Sequence, residues 1–238
     1  MKNLTLFRMF ALVVLLSFFF SACSEKKNED KTEVKKIDST VTTKKENPEK
    51  TTSGDKDEIK KILDEGIQLS KNKNFKEAIN KFSKAIEKSP ANADAYLYRA
   101  TAYAELKKNK DAIADYTKAI ELKPKDFEAI INRGLSYYDL KKYNEAIADY
   151  DKAIELNAKN ETAFLNRGNS YMKLKQYDKA SLDYTKAIEI NKGYLDAYVN
   201  RGDCNYKLKK KDDACKDWNK AKELGDQGVD KLIKKFCK

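Results

Sequence analysis

The sequence predicts an all-α protein: five helix-turn-helix units of one design, stacked as a solenoid and closed by a C-terminal capping helix. Three observations carry that prediction. The stretch DAYLYRATAYAELKKNKDAIADYTKAIELKP, Asp94 to Pro124, returns at a spacing of 34 residues without an insertion. It does so as EAIINRGLSYYDLKKYNEAIADYDKAIELNA, TAFLNRGNSYMKLKQYDKASLDYTKAIEINK and DAYVNRGDCNYKLKKKDDACKDWNKAKELGD, and once earlier as KKILDEGIQLSKNKNFKEAINKFSKAIEKSP. A fixed period of this length, with two helical patterns in each, is the signature of a helical solenoid. Small residues also recur in register, where two helices must approach closely. Finally, the 238 residues include only 8 Gly and 3 Pro against 41% apolar residues, enough for a sizeable core and too few for long loops.

In chain order, residues 1–22 form a signal peptide. Lys2 and Arg8 give a positive start, and Met9 to Phe20 is an apolar run broken only by Ser17. The run is too short for a stable membrane span and suits a secretory signal. It ends in Phe20-Ser21-Ala22-Cys23, which resembles a bacterial lipobox with Phe20 in place of the usual Leu. That resemblance implies cleavage before Cys23, diacylglycerol on its sulfur and an acylated amino group. Several acyl chains on one residue anchor stably where one would not. Ser24 rather than Asp follows the cysteine, so the expected location is the bacterial cell envelope, at the outer membrane. Residues 23–58 then read as a lipidated tether. They carry many charges, Thr and Ser, no aromatics, and only Val34, Ile37 and Val41 as large apolar residues. Such a segment cannot bury enough surface to offset chain entropy and is expected to be disordered, with a span of roughly 30 Å.

The five units run 59–92, 93–126, 127–160, 161–194 and 195–225, and positions are numbered from Ile59, Ala93, Phe127, Glu161 and Leu195. Position 8 is Gly66, Ala100, Gly134, Gly168 and Gly202; position 20 and position 27 are Ala throughout. Large residues fill in around them: Phe82, Tyr116, Tyr150, Tyr184 and Trp218 at position 24, and Ile62, Tyr96, Ile130, Phe164 and Tyr198 at position 4. These aromatics are core, not a cofactor box. In the last unit Asn205 replaces the Tyr of position 11, so its first helix is expected to pack less well.

Charges recur with the same period. Position 7 is Arg99, Arg133, Arg167 and Arg201, and position 23 of the same units is Asp115, Asp149, Asp183 and Asp217. In the first unit both signs reverse, as Glu65 with Lys81. Pairing to the preceding unit would set Arg99 against Lys81, so the five pairs are expected within each unit, as structural struts. The segment 226–238 supplies the cap, with Val229, Leu232, Ile233 and Phe236 at helical spacing and Lys on the other face. A basic amphipathic helix of this kind could instead lie on a membrane. In an oxidising compartment Cys215 and Cys237, symmetric about residue 226, fall at one height of the last hairpin and are expected to form a disulfide. Cys204 is symmetric with Cys215 about Lys209 to Lys211 and competes for it.

The repeat resembles the tetratricopeptide repeat family over residues 59–238. The resemblance implies a right-handed α-α superhelix, no catalysis, and extended or helical peptides of partner proteins held on the concave face of the first helices. No catalytic residue and no cofactor is expected. The chain has no His, no G-x-S-x-G elbow, no phosphate-binding G-x-x-x-x-G-K and no cysteine spacing suited to zinc or redox chemistry. Neither metal nor nucleic acid is expected as a partner: the net charge of +11 comes mostly from Lys at exposed helix positions, which reads as a solvated face. Position 6 of the first helices is Asp64, Tyr98, Asn132, Asn166 and Asn200. An asparagine amide matches a peptide unit's C=O and N–H, and such a row resembles the asparagine ladders of some peptide-gripping solenoids. It does not resemble a carboxylate clamp, since position 5 is Leu63, Leu97, Ile131, Leu165 and Val199 in place of Lys. Tyr98, Tyr138, Asn169, Met172 and Tyr206 are expected to line the same groove. The expected function is thus a membrane-anchored scaffold for protein–protein interaction. The alternative is a structural lipoprotein contacting anionic peptidoglycan or polysaccharide through its basic surface.

Overall fold

The computed structural model describes residues 53–237, which fall in one of the chain's two units, Glu49–Lys238. The expected signal peptide, Cys23 and most of the expected tether lie outside the described residues. The helices are α1 (Ser53–Lys71), α2 (Phe75–Lys88), α3 (Ala93–Glu105), α4 (Asn109–Leu122), α5 (Phe127–Asp139), α6 (Tyr143–Leu156), α7 (Glu161–Lys173), α8 (Tyr177–Ile190), α9 (Leu195–Lys207), α10 (Lys211–Glu223) and α11 (Asp230–Phe236). Among the described residues no helix is long and apolar enough to cross a membrane.

Each odd helix packs antiparallel on the even helix that follows, and each even helix packs on the next odd one. The odd helices α1, α3, α5, α7 and α9 also touch each other in sequence, whereas the even helices do not. The stack therefore curves with the odd helices on its inner side, as the five-unit solenoid requires. The position-20 and position-27 alanines are fully buried, and the position-24 rings Phe82, Tyr116, Tyr150, Tyr184 and Trp218 are at most 1% exposed. The position-8 glycines are needed against those rings. A Cβ on Gly134 or Gly168 would lie 2.7 or 2.8 Å from a ring carbon of Tyr150 or Tyr184.

Asn92, Asp126 and Asn160 cap α3, α5 and α7, each side chain accepting from the N–H three residues on, which satisfies donors that the helix itself leaves open. The first helix of each unit, α1, α3, α5, α7 and α9, is followed by a left-handed lysine, Lys73, Lys107, Lys141, Lys175 and Lys209, with φ of 59–62°. Glycine is the usual residue at such a stop.

The struts are built as pairs within a unit and as joints between units. Arg133 Nε donates to Asp149 Oδ2 at 2.9 Å and Nη2 to Oδ1 at 2.6 Å, a bidentate fork, while Nη1 reaches Thr117 Oγ1 of the unit before at 3.1 Å. Arg99 repeats this with Asp115 and Ser83, Arg167 with Asp183 and Asp151, and Arg201 with Asp217 and Thr185. The four aspartates are buried. Burial pushes the Asp183 carboxyl up even though Arg167 pulls it down. The first pair differs in kind. Lys81 bonds Glu65, but the two side chains are 36% and 41% exposed, so this strut is a surface pair of small value.

Three expectations need correction. The first helix begins at Ser53, ahead of the boundary set at residue 59, so Ser53–Glu58 is helix and not tether. Glu58 there takes Lys88 of α2 at 2.8 Å. Asn205 does not loosen α9. It is 7% exposed, donates to Asp217 Oδ2 at 3.0 Å and accepts from Ser181 Oγ at 3.4 Å, so a buried amide finds polar partners where the third unit places the Tyr137 ring over Arg133. The cap is shorter than the span 226–238: residues 225–229 turn, with Gly225 at φ 110°, and only Asp230–Phe236 is helical.

That short helix packs on α10, and its Phe236 also reaches Tyr206 of α9. Val229 is 1% exposed, and the Phe236 ring lies 4.4 Å from Tyr206 and 6.1 Å from Trp218. Cys215 and Cys237 are bonded, and Cys204 is a buried free thiol among the residues around Tyr184, pushed up to about 12 by burial. Such a thiol is unreactive near neutral pH. A seven-residue helix is too short to hold itself. Reducing the bond, which closes a 22-residue separation, is expected to remove about 3 kcal/mol of loop-entropy stabilisation. Hydrogen exchange should then speed up across residues 229–237 while α1 to α8 keep their protection; unchanged protection of the cap would contradict this.

Candidate functional site: the inner face of the odd helices

The inner face is assembled from positions 6, 9 and 12 of the odd helices, and the bonds between neighbouring units show how they meet. Asn200 Nδ2 on α9 donates to Asn169 Oδ1 on α7 at 3.0 Å. Position 6 of one unit thus sits beside position 9 of the unit before. The same Asn169 Oδ1 accepts from the Tyr184 hydroxyl beneath it at 2.8 Å, and that hydroxyl lies 3.9 Å from Met172 Sδ.

The ladder is therefore not uniform. Asn132, Asn166 and Asn200 are all half-buried on this face. Among the described residues the side-chain amides of Asn132 and Asn166 make no internal hydrogen bond, whereas Asn200 spends a donor on Asn169. Asn169 in turn has its oxygen taken twice, leaving its amide N–H groups for any partner. In chemical terms the face offers two complete amides and two partial ones, each able to bond a main chain without regard to side chains.

The other residues expected here are spread along the whole stack. Tyr98 is half-buried against Phe82, ring centroids 5.7 Å apart. Its hydroxyl pKa is raised by burial and by the carboxylates of Asp94 and Glu128. Tyr138 stands edge-on to Tyr143 at 5.4 Å, its pKa raised chiefly by burial. Tyr206 is 36% exposed and packed on the cap through Phe236, so it closes the C-terminal end of the groove. Two residues with no place in the sequence reading belong here. Leu135 is 40% exposed at position 9 of the third unit. Asp203, at position 9 of the fifth, accepts from Trp218 Nε1 at 3.1 Å, and its pKa is raised by burial. A signal for both existed in the sequence: position 9 varies as Ile67, Thr101, Leu135, Asn169 and Asp203 while its neighbours keep their character.

A helix-pair solenoid with small residues at positions 8, 20 and 27 and an inner face of odd helices defines a class of repeat protein that binds through its surface. Comparison with protein families matches the description tetratricopeptide repeat, or TPR repeat, at residues 63–127, 134–175, 162–194 and 196–224. The chain belongs to the tetratricopeptide repeat family, whose fold serves protein interaction. No curated protein matches the sequence. Among solved structures, a crystal structure of MamA is similar at 27% identity, with a TM-score of 0.65 over 67% of this chain and 93% of that one. YrrB, described as a TPR protein with an unusual peptide-binding site, is 21% identical, TM-score 0.65, over 73% of this chain and 90% of that one. PilF of Pseudomonas aeruginosa is 22% identical, TM-score 0.64, over 73% and 79%. The likeness to the last two is one of fold.

Proposed function

We propose that the protein is a lipid-anchored scaffold of the bacterial cell envelope that grips an extended peptide segment of a partner protein on its inner face. The observation that carries the reading is the pair of half-buried amides, Asn132 and Asn166, with no internal partner among the described residues. A half-buried amide keeps its value for a ligand because part of its desolvation is already met, and a peptide unit satisfies both of its ends. Cys23 and the tether supply the anchor and the reach, as the lipobox resemblance implies. Catalysis has no part in this reading.

The peptide grip is tested with Asn132→Ala and Asn166→Ala together, leaving Asn200 in place because of its bond to Asn169. Peptides selected on the full-length protein from a random display library serve as the probe. Their affinity is expected to fall at least about tenfold, 1.4 kcal/mol, with the melting temperature unchanged within about 2 °C, since neither amide is bonded internally. Equal binding by the variant overturns the reading. For the anchor, Cys23→Ser should move the protein from the membrane fraction to the soluble one, and intact mass should lose the acyl chains.

A further inference from the structure

Position 24 carries a ring whose polar atom points toward position 9, and in three units the two residues are matched. Tyr116 donates to Thr101 Oγ1 at 3.1 Å, Tyr184 to Asn169 Oδ1 at 2.8 Å, and Trp218 Nε1 to Asp203 Oδ1 at 3.1 Å. The first unit is matched in the apolar sense, Phe82 over Ile67. The third unit breaks the rule. Its ring is Tyr150, fully buried, and its position 9 is Leu135, which has nothing to accept with. The Tyr150 hydroxyl is a buried side-chain polar atom left without a partner among the described residues.

Leu135 strands a second group. By the register that sets Asn200 beside Asn169, Asn166 comes beside Leu135. In the fourth unit a single oxygen, Asn169 Oδ1, accepts from both the tyrosine below and the asparagine alongside. In the third unit that oxygen is missing, and both donors, Tyr150 Oη–H and Asn166 Nδ2–H, are idle. A buried donor without an acceptor is among the more costly defects of a folded chain, and it persists where another molecule supplies what is missing.

We infer that the partner supplies it: a main-chain carbonyl oxygen of the bound peptide enters beside Leu135 and accepts from Tyr150 and Asn166 together, taking the role Asn169 Oδ1 plays one unit on. This rests on the peptide-groove reading and fixes its register, with the third and fourth units as the point of discrimination. A carbonyl oxygen has two lone pairs and can take both bonds. The hydroxyl lies under Leu135, so the leucine side chain swings out on binding. It is 40% exposed and has the room. Once out, it lies beside Tyr138, three residues on in the same helix, and the two form an apolar floor that selects a large apolar side chain next to the inserted carbonyl. The occupant is an extended peptide with an apolar residue at that place, and a charged residue there is excluded.

The test uses full-length protein and the peptides selected as above. Tyr150→Phe removes the hydroxyl without changing the packing; Leu135→Asn installs the fourth unit's arrangement, satisfying both donors internally. Each is expected to weaken the selected peptides at least about tenfold, while Leu135→Asn raises the melting temperature and Tyr150→Phe does not lower it. Tyr116→Phe, whose hydroxyl already has a partner in Thr101, should bind as wild type. The selected peptides should share one large apolar position. If Asn132→Ala with Asn166→Ala abolishes binding but Tyr150→Phe and Leu135→Asn bind normally, the inference is wrong and the groove reading stands. A raised melting temperature for Leu135→Asn with unchanged affinity would assign the missing oxygen to a bound water, and also overturns it. If all variants bind equally, or the library yields no binder, both fall.

Discussion

Asp149→Ala is expected to lower the unfolding free energy by about 3 kcal/mol, the low end of the 3–5 kcal/mol typical when one partner of a buried ion pair is removed. Asp149 is 5% exposed, and the Arg133 side chain beside it 17%. Without the carboxylate, the guanidinium keeps only the Thr117 hydroxyl and the ring of Tyr137, 5.9 Å away. Some water reaches the arginine, which places the expectation at the low end. The loss comes from the stranded charge, not from the pair's own worth. Arg133→Met combined with Asp149→Leu should therefore recover most of it, although the joint to Thr117 goes too. Urea denaturation followed by circular dichroism measures both. A single variant as stable as wild type, or a double variant worse than the single, would show that the pair is not desolvated in the way described.

Trp218→Ala should cost about 3–5 kcal/mol, the range for truncating a large buried aromatic. Trp218 is 1% exposed, and a Cβ on Gly202 would fall 2.6 Å from its Nε1, so the ring is closely covered. Tyr206 and Phe236 rest against it at 5.8 and 6.1 Å. Its removal therefore empties the fifth unit and takes the support from under the cap, although the disulfide still tethers the chain there. Trp218→Tyr is expected to lose far less, about 1 kcal/mol, because tyrosine occupies the same place in three preceding units. Hydrogen exchange should place the damage in α9 to α11. Damage spread evenly over all five units would refute the local account.

Much of the fold was legible because it repeats. The 34-residue period gave every unit, the signs at positions 7 and 23 gave the struts, and the heights of Cys215 and Cys237 gave the bond that closes the cap. What escaped did so for identifiable reasons. Ser53–Glu58 has no apolar residue, and a polar helical segment leaves no periodic trace. Asn205 reads as a defect in its own column; only the structure shows Asp217 and Ser181 within reach. The second bond of each arginine links a unit to the one before, and Ser83, Thr117, Asp151 and Thr185 share no sign or shape that would mark them as one set. The groove was legible as a row of asparagines. That Asn200 is engaged and Asn166 idle depends on position 9 of the preceding unit, which a column read by itself cannot show.

The backward reach of the arginines has a further consequence: the stack has two specialised ends and an interchangeable middle. Each joint has a front half, the guanidinium of position 7, and a back half, the acceptor at position 25 of the unit before. Residues 93–126 carry both halves in one stretch, Arg99 at the front and Thr117 at the back. A duplicate of that stretch spliced in after residue 126 brings its own coupling on either side and lengthens the array as a link lengthens a chain. The first unit cannot be moved inward this way, since it presents Glu65 where a guanidinium is required. Nor can the last, since the place of a following odd helix on α10 is already taken by α11, which the Cys215–Cys237 bond fastens there. Gene duplication within such a chain can therefore widen the gripping surface from the centre while leaving both termini as they are.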